Sequence, residues 1–371
     1  MEQDKYLDEA LQIEPRKISP LPKSVGWQAP SNIALVKYWG KKAEQKPLNP
    51  SLSMTLSHLS THTKIHYTRA RHSQGQMWFR FDGEENQAFA ERIRNYMANL
   101  RIYFPFLDQL DLHMDSYNNF PHSAGMASSA SSMSALALSI CSIEQRLKEE
   151  HLSPEAFFRK ASFMARLGSG SASRSVYGNF VRWGQDNSGV DEKDNSGSDE
   201  YAQPLPAPVD DNLAFLHDTV LITSSQPKKI SSSQGHQLMQ DHPYQQARIQ
   251  QAADHIEKIT RALKEGHFQD FSQVAEQEAL SLHALMLSSN PGYLLLNESS
   301  LRMIDELRAF RASSGTSITF TLDAGPNVHI IYPIHEKERV RSWLDQKIDP
   351  MFENARMIHD FTGKGPERLD L

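Results

Sequence analysis

The sequence predicts an α+β fold in two domains. Segments in which apolar residues recur at helical spacing are interspersed with short segments that alternate like β-strands, and no regular strand–helix–strand repeat joins them. The chain of 371 residues is long enough for two domains and more than one hydrophobic core. We expect an N-terminal extension over residues 1–23, a first domain over 24–212 and a second domain over 213–371.

The N-terminal part of the chain begins with a short expected helix near 7–13 and continues with strands. The strands expected in the first domain are 33–37, which leads into a turn at Trp39-Gly40, then 54–56, 63–68 and 77–81. Asp82-Gly83 directly follows the last of these strands, and this dipeptide is typical of a hairpin turn.

Three helices are expected in the first domain. Helical spacing is visible over 89–100 and again after Ser128. A third helix begins at Ser153-Pro154, which supplies a capping residue and a proline at the first helical position, and it ends at Gly168.

Residues 186–200 contain Asp-Asn-Ser-Gly twice and no large apolar side chain except Val190. This composition predicts a mobile surface insertion within the first domain. The prolines of 204–208 then lead the chain towards the second domain.

The second domain is expected to be mainly helical around two strands. Its expected helices are 244–264 and 268–287, separated by Gly266, then 301–310 and 337–344. The strands 318–321 and 329–332 flank a turn that carries Asp323.

Composition and charge exclude several classes of protein. The formal net charge of −6 argues against nucleic acid as the main partner. No apolar run approaches the ~18 residues needed to cross a membrane, and the acidic, polar N-terminus is unlike a secretory signal. The single cysteine, Cys141, has no partner for an internal disulfide and is expected to be a small core residue. These features favour a reducing cytoplasm.

An anionic substrate would need a local cluster of cations. Lys37, Lys41, Lys42 and Arg174 supply such a cluster, because they lie in or beside turns rich in small residues. The 16 histidines show no metal-ligand spacing, so no structural zinc is expected.

Residues 118–131 form a turn of small residues that leads directly into a helix. A helix N-terminus offers unpaired N–H groups and the positive end of the helix dipole, which together suit a phosphate. Gly125 and Ala127 allow close approach of a polyphosphate, and Ser123, Ser128 and Ser129 add hydroxyl groups, one of which can reach a phosphate-bound Mg²⁺. The segment predicts a nucleotide site without a Walker lysine motif, although taken alone it is better explained as a serine-capped helix.

Three further segments accompany this turn. They are 30–42 together with 48–56, then 165–178, and finally 321–328. The four segments, in this order and at these separations, resemble the diphosphomevalonate decarboxylases of the GHMP kinase superfamily from about Pro30 to Val328. The resemblance implies an N-terminal α/β domain, a C-terminal domain, an active site in the cleft between them, ATP with Mg²⁺, and a homodimer.

The resemblance also assigns catalytic roles. Asp323, which the turn alone would explain as a capping residue, matches the catalytic carboxylate beside the tertiary hydroxyl of the substrate. Lys37 matches a lysine near that carboxylate. Arg174 matches the residue that grips the substrate carboxylate, for which its planar guanidinium is suited.

Substrate-binding residues follow by the same resemblance. Tyr38 and Lys41 match residues that hold the substrate phosphates, and Ser169 and Ser171 match residues that bind nearby oxygens. The full expected set is Tyr38, Trp39, Gly40, Lys41, Ser169, Gly170, Ser171, Ala172, Ser173, Arg174, Ser232 and Ser233. His283 matches a family histidine on a helix, and we expect it to be a core residue without a catalytic role.

The chain departs from the family pattern at two positions. His122 stands in the phosphate loop where members usually carry Thr, and Ser233 stands where bacterial relatives often carry Arg. The expected reaction is ATP-dependent decarboxylation of mevalonate 5-diphosphate to isopentenyl diphosphate, ADP, phosphate and CO₂. Because Ser233 carries no positive charge to bind a second phosphate, a mevalonate 5-phosphate decarboxylase and a mevalonate 3-kinase remain alternatives. Another GHMP kinase and a non-catalytic paralogue are further alternatives.

Overall fold

The computed structural model describes residues 2–10, 18–121, 127–185, 197–206, 208–224, 230–352 and 356–370. The described residues form two β-sheets with helices packed against them, which confirms the α+β prediction. The strands are β1 (Lys23–Val36), β2 (Ser51–Arg69), β3 (Met77–Phe81), β4 (Leu110–Asn118), β5 (Phe180–Trp183), β6 (Gln203–Pro204), β7 (Leu216–Ile222), β8 (Thr319–Thr321), β9 (Val328–Pro333), β10 (Arg356–Phe361) and β11 (Glu367–Arg368). The helices are α1 (Glu2–Asp8), α2 (Gln87–Leu100), α3 (Ser128–Lys148), α4 (Pro154–Gly168), α5 (Asp211–Ala214), α6 (Ser232–Gln237), α7 (Gln245–Glu265), α8 (Phe268–Leu287), α9 (Glu298–Ser314), α10 (Lys337–Trp343) and α11 (Asp349–Met351).

The first sheet has seven strands in the order β11-β1-β2-β4-β3, with β5 on the end of β2 and β6 on β5. Strands β1 and β2 pair antiparallel along most of their length, so the separate strands expected at 54–56 and 63–68 are one long strand. Helix α3 packs against β1 and β2 and is buried on most of its circumference, and α4 packs on α3. Cys141 on α3 is buried, as predicted.

The hairpin turn predicted at Asp82-Gly83 is present, but no second strand follows it. Both residues have positive φ and do form a tight turn, but the turn makes only one bridge, between Phe81 and Glu84, and the chain then enters α2. Strand β3 instead pairs in parallel with β4.

Most predicted helices are confirmed within a few residues. The first helix lies at Glu2–Asp8 and so begins earlier than expected, and residues 11–17 lie outside the described residues. Helix α4 begins at Pro154, where the Ser153 hydroxyl accepts a hydrogen bond from the Ala156 N–H, as the sequence predicted.

The second sheet has the order β10-β7-β9-β8 and is antiparallel throughout. Helices α7 and α8 pack on one another, and α8 also packs against both β8 and β1. Helix α8 therefore lies between the two sheets, which brings residues of the second half of the chain to the end of β1. No helix in the described part of the chain is long and apolar enough to cross a membrane.

The end of the chain returns to the first sheet. Strand β11 pairs with β1 at Trp27 and Gln28, and the Gly363 N–H donates to the Thr55 carbonyl at 2.8 Å. The Asp360 carboxylate on β10 accepts hydrogen bonds of 2.8–3.1 Å from the N–H groups of residues 57–59 in β2. The domain boundary at 212/213 stays a prediction. Hydrogen bonds between residues 55–59 and residues 360–363 connect the two expected domains.

Of the insertion expected at 186–200, residues 186–196 lie outside the described residues. Residues 197–200 pack against the first domain. The Trp183 indole N–H donates to the Asp199 carbonyl at 3.2 Å, and the Glu200 carboxylate lies 3.5 Å from the Lys46 ammonium group.

Candidate active site

A cavity of about 480 Å³ opens at the end of β1, between the N-terminal ends of α3 and α6 and the turn after β8. All four segments that carry the resemblance contribute to its lining. The lining residues are Asn32, Ala34, Lys37, Tyr38, Trp39, Lys41, Gln45, Arg92, Ala127, Ser128, Ser129, Gly168, Ser169, Gly170, Ser171, Arg174, Ser231, Ser232, Ser233, His236, Leu282, Asp323 and Ala324. Among them are four cations and a single carboxylate, so the cavity suits a substrate with several negative charges.

The carboxylate of Asp323 forms an ion pair with Lys37 in this cavity. The Lys37 Nζ lies 2.9 Å from the Asp323 Oδ1 and also donates to the Ala34 carbonyl at 2.5 Å. The Lys37 side chain is 2% exposed, whereas the Asp323 side chain is 26% exposed and faces the cavity. Burial lowers the pKa of Lys37, and the charge of Asp323 opposes that shift.

The backbone of Lys37 is held by a buried ion pair behind the cavity. The Lys37 N–H donates to the Glu278 carboxylate at 2.7 Å, and its carbonyl accepts from the Arg248 guanidinium at 2.8 Å. Glu278 is fully buried and accepts two hydrogen bonds of 2.6–2.7 Å from Arg248 and one from His255. Burial alone would raise the pKa of Glu278, but Arg248, His255 and the Lys37 N–H together lower it to about 2. This ion pair fixes the direction in which Lys37 meets Asp323.

Arg174 is buried and has only neutral oxygen partners among the described residues. Its Nη1 donates to the Ser51 hydroxyl at 2.7 Å, and its Nε and Nη2 lie 3.4 Å from the Asn32 Oδ1. Burial lowers the pKa of Arg174 to about 10, so the group stays charged at neutral pH. A buried guanidinium without a carboxylate partner provides a site for an anionic group of a ligand.

Three serine hydroxyls form a chain along the wall of the cavity. The Ser169 Oγ lies 3.4 Å from the Ser129 Oγ and 3.5 Å from the Ser171 Oγ. Helix α3 begins beside them, and its first residue is preceded by Ala127, which has a left-handed backbone (φ 45°) and supplies no side-chain cap. The alternative explanation of this segment was a helix capped by a serine side chain. The residue at the capping position is Ala127, so no serine caps this helix. Ser123 and Gly125 of the predicted ATP site, with His122, lie outside the described residues.

Tyr38, Trp39 and Lys41, which are expected to bind the substrate, line the cavity beside the end of β1. The Tyr38 hydroxyl is buried and has no hydrogen-bond partner in the part of the chain that the structure describes. The Lys41 Nζ donates to the Gln45 Oε1 at 3.2 Å, and burial lowers the pKa of Lys41. Gly40 has φ +89°, a left-handed conformation that favours glycine. It is not among the residues that line the cavity, although it was expected to bind the substrate.

The serine cluster of α6 lies at the rim. Ser231 caps the helix through a reciprocal pair of hydrogen bonds with Gln234, and Ser232 and Ser233 are exposed to the cavity. Lys228 and Lys229, which precede this cluster in sequence, lie outside the described residues.

Not every predicted cation and binding residue faces the cavity. Lys42 is 46% exposed and pairs with Asp199 at 3.1 Å instead, which makes the prediction that it joins the cation cluster wrong. Ala172 and Ser173 are buried behind the wall, where the Ser173 hydroxyl donates to the Gly170 carbonyl at 2.8 Å.

Sequence reasoning missed several lining residues, among them Asn32, Gln45, Arg92 and His236. Asn32 lies within the first recognised segment, so its position could have been found. Arg92 lies on α2, where an arginine has no distinguishing pattern, and only the fold brings it to the cleft. Arg92 also lines a small neighbouring pocket, whose apolar wall includes Phe79, Phe81 and Phe89 and which shares Ser128 and Ser129 with the cavity.

His283 is buried on α8 and its Nε2 lies 3.1 Å from the Asp323 carbonyl oxygen. It therefore supports the turn that carries the carboxylate, and its ring does not line the cavity. Among the described residues no group of three or more histidine, cysteine or acidic side chains is placed to hold a metal ion.

Comparisons with known proteins agree along nearly the whole chain. The family model for the diphosphomevalonate decarboxylase-like N-terminal domain matches residues 29–196, and the model for the mevalonate 5-diphosphate decarboxylase C-terminal domain matches 219–367. The diphosphomevalonate decarboxylase of Saccharomyces cerevisiae is 32% identical over 327 residues, which cover 84% of this chain and 78% of the relative.

Solved structures show the same similarity. The mevalonate diphosphate decarboxylase of Staphylococcus aureus superposes with a TM-score of 0.78 at 30% identity, covering 94% of this chain and 99% of that protein. A structure of MDDEF in complex with MVAPP, AMPPCP and magnesium superposes with a TM-score of 0.78 at 27% identity, covering 95% of this chain and 100% of that one.

Proposed function

This chain belongs to the diphosphomevalonate decarboxylase family, and on that premise we propose how its cleft performs the reaction of that family. The enzyme is an ATP-dependent carboxy-lyase that converts mevalonate 5-diphosphate into isopentenyl diphosphate, ADP, phosphate and CO₂. The observation that carries the proposal is the cavity itself, in which one carboxylate pairs with Lys37 among four cations.

The first step transfers a phosphoryl group. The C3 oxygen of the substrate attacks the γ-phosphorus of ATP, its proton passes to Asp323, and ADP is released. Positioned proton transfer of this kind typically contributes on the order of 10²–10⁴ in rate. Lys37 keeps the carboxylate oriented through the 2.9 Å ion pair and keeps it ionised by its charge.

The second step eliminates phosphate and CO₂. The C3–O bond breaks as inorganic phosphate departs, and the electron pair of the bond to the carboxylate forms the carbon–carbon double bond as CO₂ leaves. Arg174 holds the carboxylate in line with the breaking C3–O bond through its guanidinium, which has no competing carboxylate among the described residues. Catalysis rests on positioning and electrostatics, because the protein supplies no covalent group.

The phosphates of ATP approach the start of α3. The N–H groups of Ser128 and Ser129 begin this helix and have no intrahelical acceptor. The adjoining apolar pocket with Phe79, Phe81 and Phe89 is suited to the base of the nucleotide. Mg²⁺ fits this wall because the hydroxyls of Ser129, Ser169 and Ser171 are oxygen ligands; when bound, it neutralises charge on the phosphate oxygens.

The diphosphate of the substrate binds at the other end, near Tyr38 and Lys41. Lys41 is a point charge with only an amide partner among the described residues, and the Tyr38 hydroxyl lacks any partner there. Ser232 and Ser233 at the rim add hydroxyl donors.

A substrate panel tests the proposal. Purified protein with MgATP is offered mevalonate, its 5-phosphate and its 5-diphosphate, and ADP and CO₂ are both followed. Equal release of ADP and CO₂, with a higher kcat/KM for the diphosphate than for the monophosphate, supports the proposal. ADP without CO₂ would indicate a 3-kinase, and activity confined to the monophosphate would overturn the assignment of the phosphate-binding residues.

Two further properties belong to the proposal. We propose a cytoplasmic enzyme, which is supported by the single buried thiol of Cys141. We also propose a homodimer, which rests on the resemblance to the family. Sedimentation equilibrium of the purified chain tests the dimer, and a mass equal to one chain would refute it.

A further inference from the structure

His236 on α6 has a geometry that neither the sequence motifs nor the proposed reaction uses. Its imidazole lies between the rings of Tyr38 and Trp39, with ring centroids 4.4 and 4.6 Å away. Its Nδ1 accepts a hydrogen bond from the Gly40 N–H at 2.9 Å. Three contacts with consecutive residues therefore fix the ring in one position.

The hydrogen bond from Gly40 determines the tautomer of His236. Because Nδ1 is the acceptor, the ring hydrogen of the neutral imidazole is on Nε2. His236 lines the cavity, and no acceptor for Nε2 is found in the part of the chain that the structure describes. The Nε2–H group is thus available to a ligand in the cleft.

The surroundings of His236 keep it neutral. Burial, followed by the charges of Lys41 and Arg174, lowers the pKa of His236 to about 3. The other groups packed against the ring, Tyr38, Trp39 and the Gly40 backbone, carry no charge at neutral pH. Before an anion binds, the ring is therefore a neutral hydrogen-bond donor at neutral pH.

We propose that His236 is a substrate-binding residue whose Nε2–H donates a hydrogen bond to the diphosphate of the substrate and contributes to the preference for diphosphate over monophosphate. The inference rests on the proposed function, and it assigns a role to the side of the cavity that Tyr38, Lys41 and Ser232 share. A donor already held by two aromatic rings loses little conformational entropy on binding, so most of the strength of the hydrogen bond is available for affinity.

Two variants separate this role from a purely structural one. His236→Asn retains an oxygen that can accept from the Gly40 N–H but does not reach the position of Nε2. His236→Gln has the length to retain a donor at that position. A hydrogen bond to a charged group is worth ~1.5–3 kcal/mol, so we expect His236→Asn to raise the KM for mevalonate 5-diphosphate by about 10- to 100-fold. We expect kcat within about threefold of wild type, and a smaller loss in His236→Gln.

The comparison with mevalonate 5-phosphate is the decisive kinetic measurement. The proposal predicts that His236→Asn lowers the ratio of kcat/KM values for diphosphate over monophosphate. An unchanged ratio, or equal losses in both variants, would overturn it and leave His236 as a packing residue.

A spectroscopic test is independent of turnover. The full-length protein with ¹⁵N-labelled histidine is titrated with inorganic pyrophosphate, and the His236 resonances are assigned by their loss in His236→Asn. We expect a neutral imidazole with the hydrogen on Nε2 and a shift of that nitrogen on addition of pyrophosphate. If the substrate panel shows no decarboxylation but this shift occurs, the binding role stands while the proposed function fails. A protonated ring, or no response to pyrophosphate at saturation, would overturn the inference.

Discussion

The replacement Asp323→Asn tests the central feature of the site. Asparagine has nearly the same shape as aspartate but cannot accept the proton of the C3 hydroxyl group. Loss of positioned proton transfer corresponds to ~10²–10⁴ in rate, or roughly 3–5 kcal/mol of activation free energy. We therefore expect kcat to fall by that factor.

The charges in the cleft predict that Asp323→Asn will not impair binding of the substrate or of ATP. Among the lining residues that the structure describes, Asp323 is the only carboxylate, and four cations accompany it. Removing its charge makes the cavity more positive, so the KM for mevalonate 5-diphosphate should not rise and the affinity for ATP should not fall. Because the Asp323 side chain is 26% exposed, the ion pair with Lys37 is partly screened, and its loss should reduce stability only modestly.

The assay follows ADP and CO₂ in single-turnover reactions and ATP affinity by fluorescence titration. Asp305→Asn, a carboxylate exposed on α9, is the matched control and should behave as wild type. The double variant with Lys37→Met should lose little more activity than Asp323→Asn alone, because the two residues act as a unit. Turnover of Asp323→Asn within tenfold of wild type, or a loss confined to KM, would refute the assigned role.

Three further outcomes are expected. Arg174→Lys removes the planar fork that holds the carboxylate, so the CO₂ formed per ADP should fall below one, and an unchanged ratio would argue against the role of Arg174 in decarboxylation. Glu278→Gln should lower the free energy of unfolding in urea by about 3–5 kcal/mol at pH 7. The pKa of Glu278 is about 2 in the folded protein and ~4.3 in the unfolded chain, so its stabilising contribution is present above pH ~4.3 and is lost as the pH falls towards 2. A difference in unfolding free energy that does not depend on pH would contradict the ion pair. Gly170→Ala would place a Cβ 2.8 Å from the Tyr38 hydroxyl and from the Trp183 ring, which should destabilise the fold by about 1–3 kcal/mol and lower kcat/KM. The control Gly315→Ala, where an added Cβ meets no atom within 4 Å, should leave kcat/KM unchanged.

The sequence predicted the fold class and the residues that lie in its short motifs. The roles of Lys37, Arg174 and Asp323 were predicted because their segments resemble the motifs of the family; from its turn alone, Asp323 would be explained as a capping residue. The same reasoning could not find the Glu278–Arg248 pair, since Glu278 lies 241 residues from the N–H group it binds and occupies an ordinary position on a helix. Contacts of that range depend on how the domains pack.

The missed strands have different explanations. Leu110, Leu112 and Met114 in β4 alternate as a half-buried strand should, and that pattern was available in the sequence. Strand β7 is buried at every position although it includes His217, Asp218 and Thr219, so its burial cannot be inferred from the polarity of its residues. Asp218 is compensated there by His329, whose Nδ1 lies 2.7 Å from its carboxylate.

The return of the chain end to the first sheet has a consequence for synthesis. A nascent chain emerges from its N-terminus, so β1 and β2 are complete long before Asp360 and β11 are translated. Until then the N–H groups of residues 57–59 lack their carboxylate acceptor, and Trp27 and Gln28 lack their neighbouring strand. The first half of the protein therefore reaches its final hydrogen bonding only after Asp360 and β11 leave the ribosome, and a truncated chain ending before Asp360 is expected to aggregate through the uncovered edge of β1.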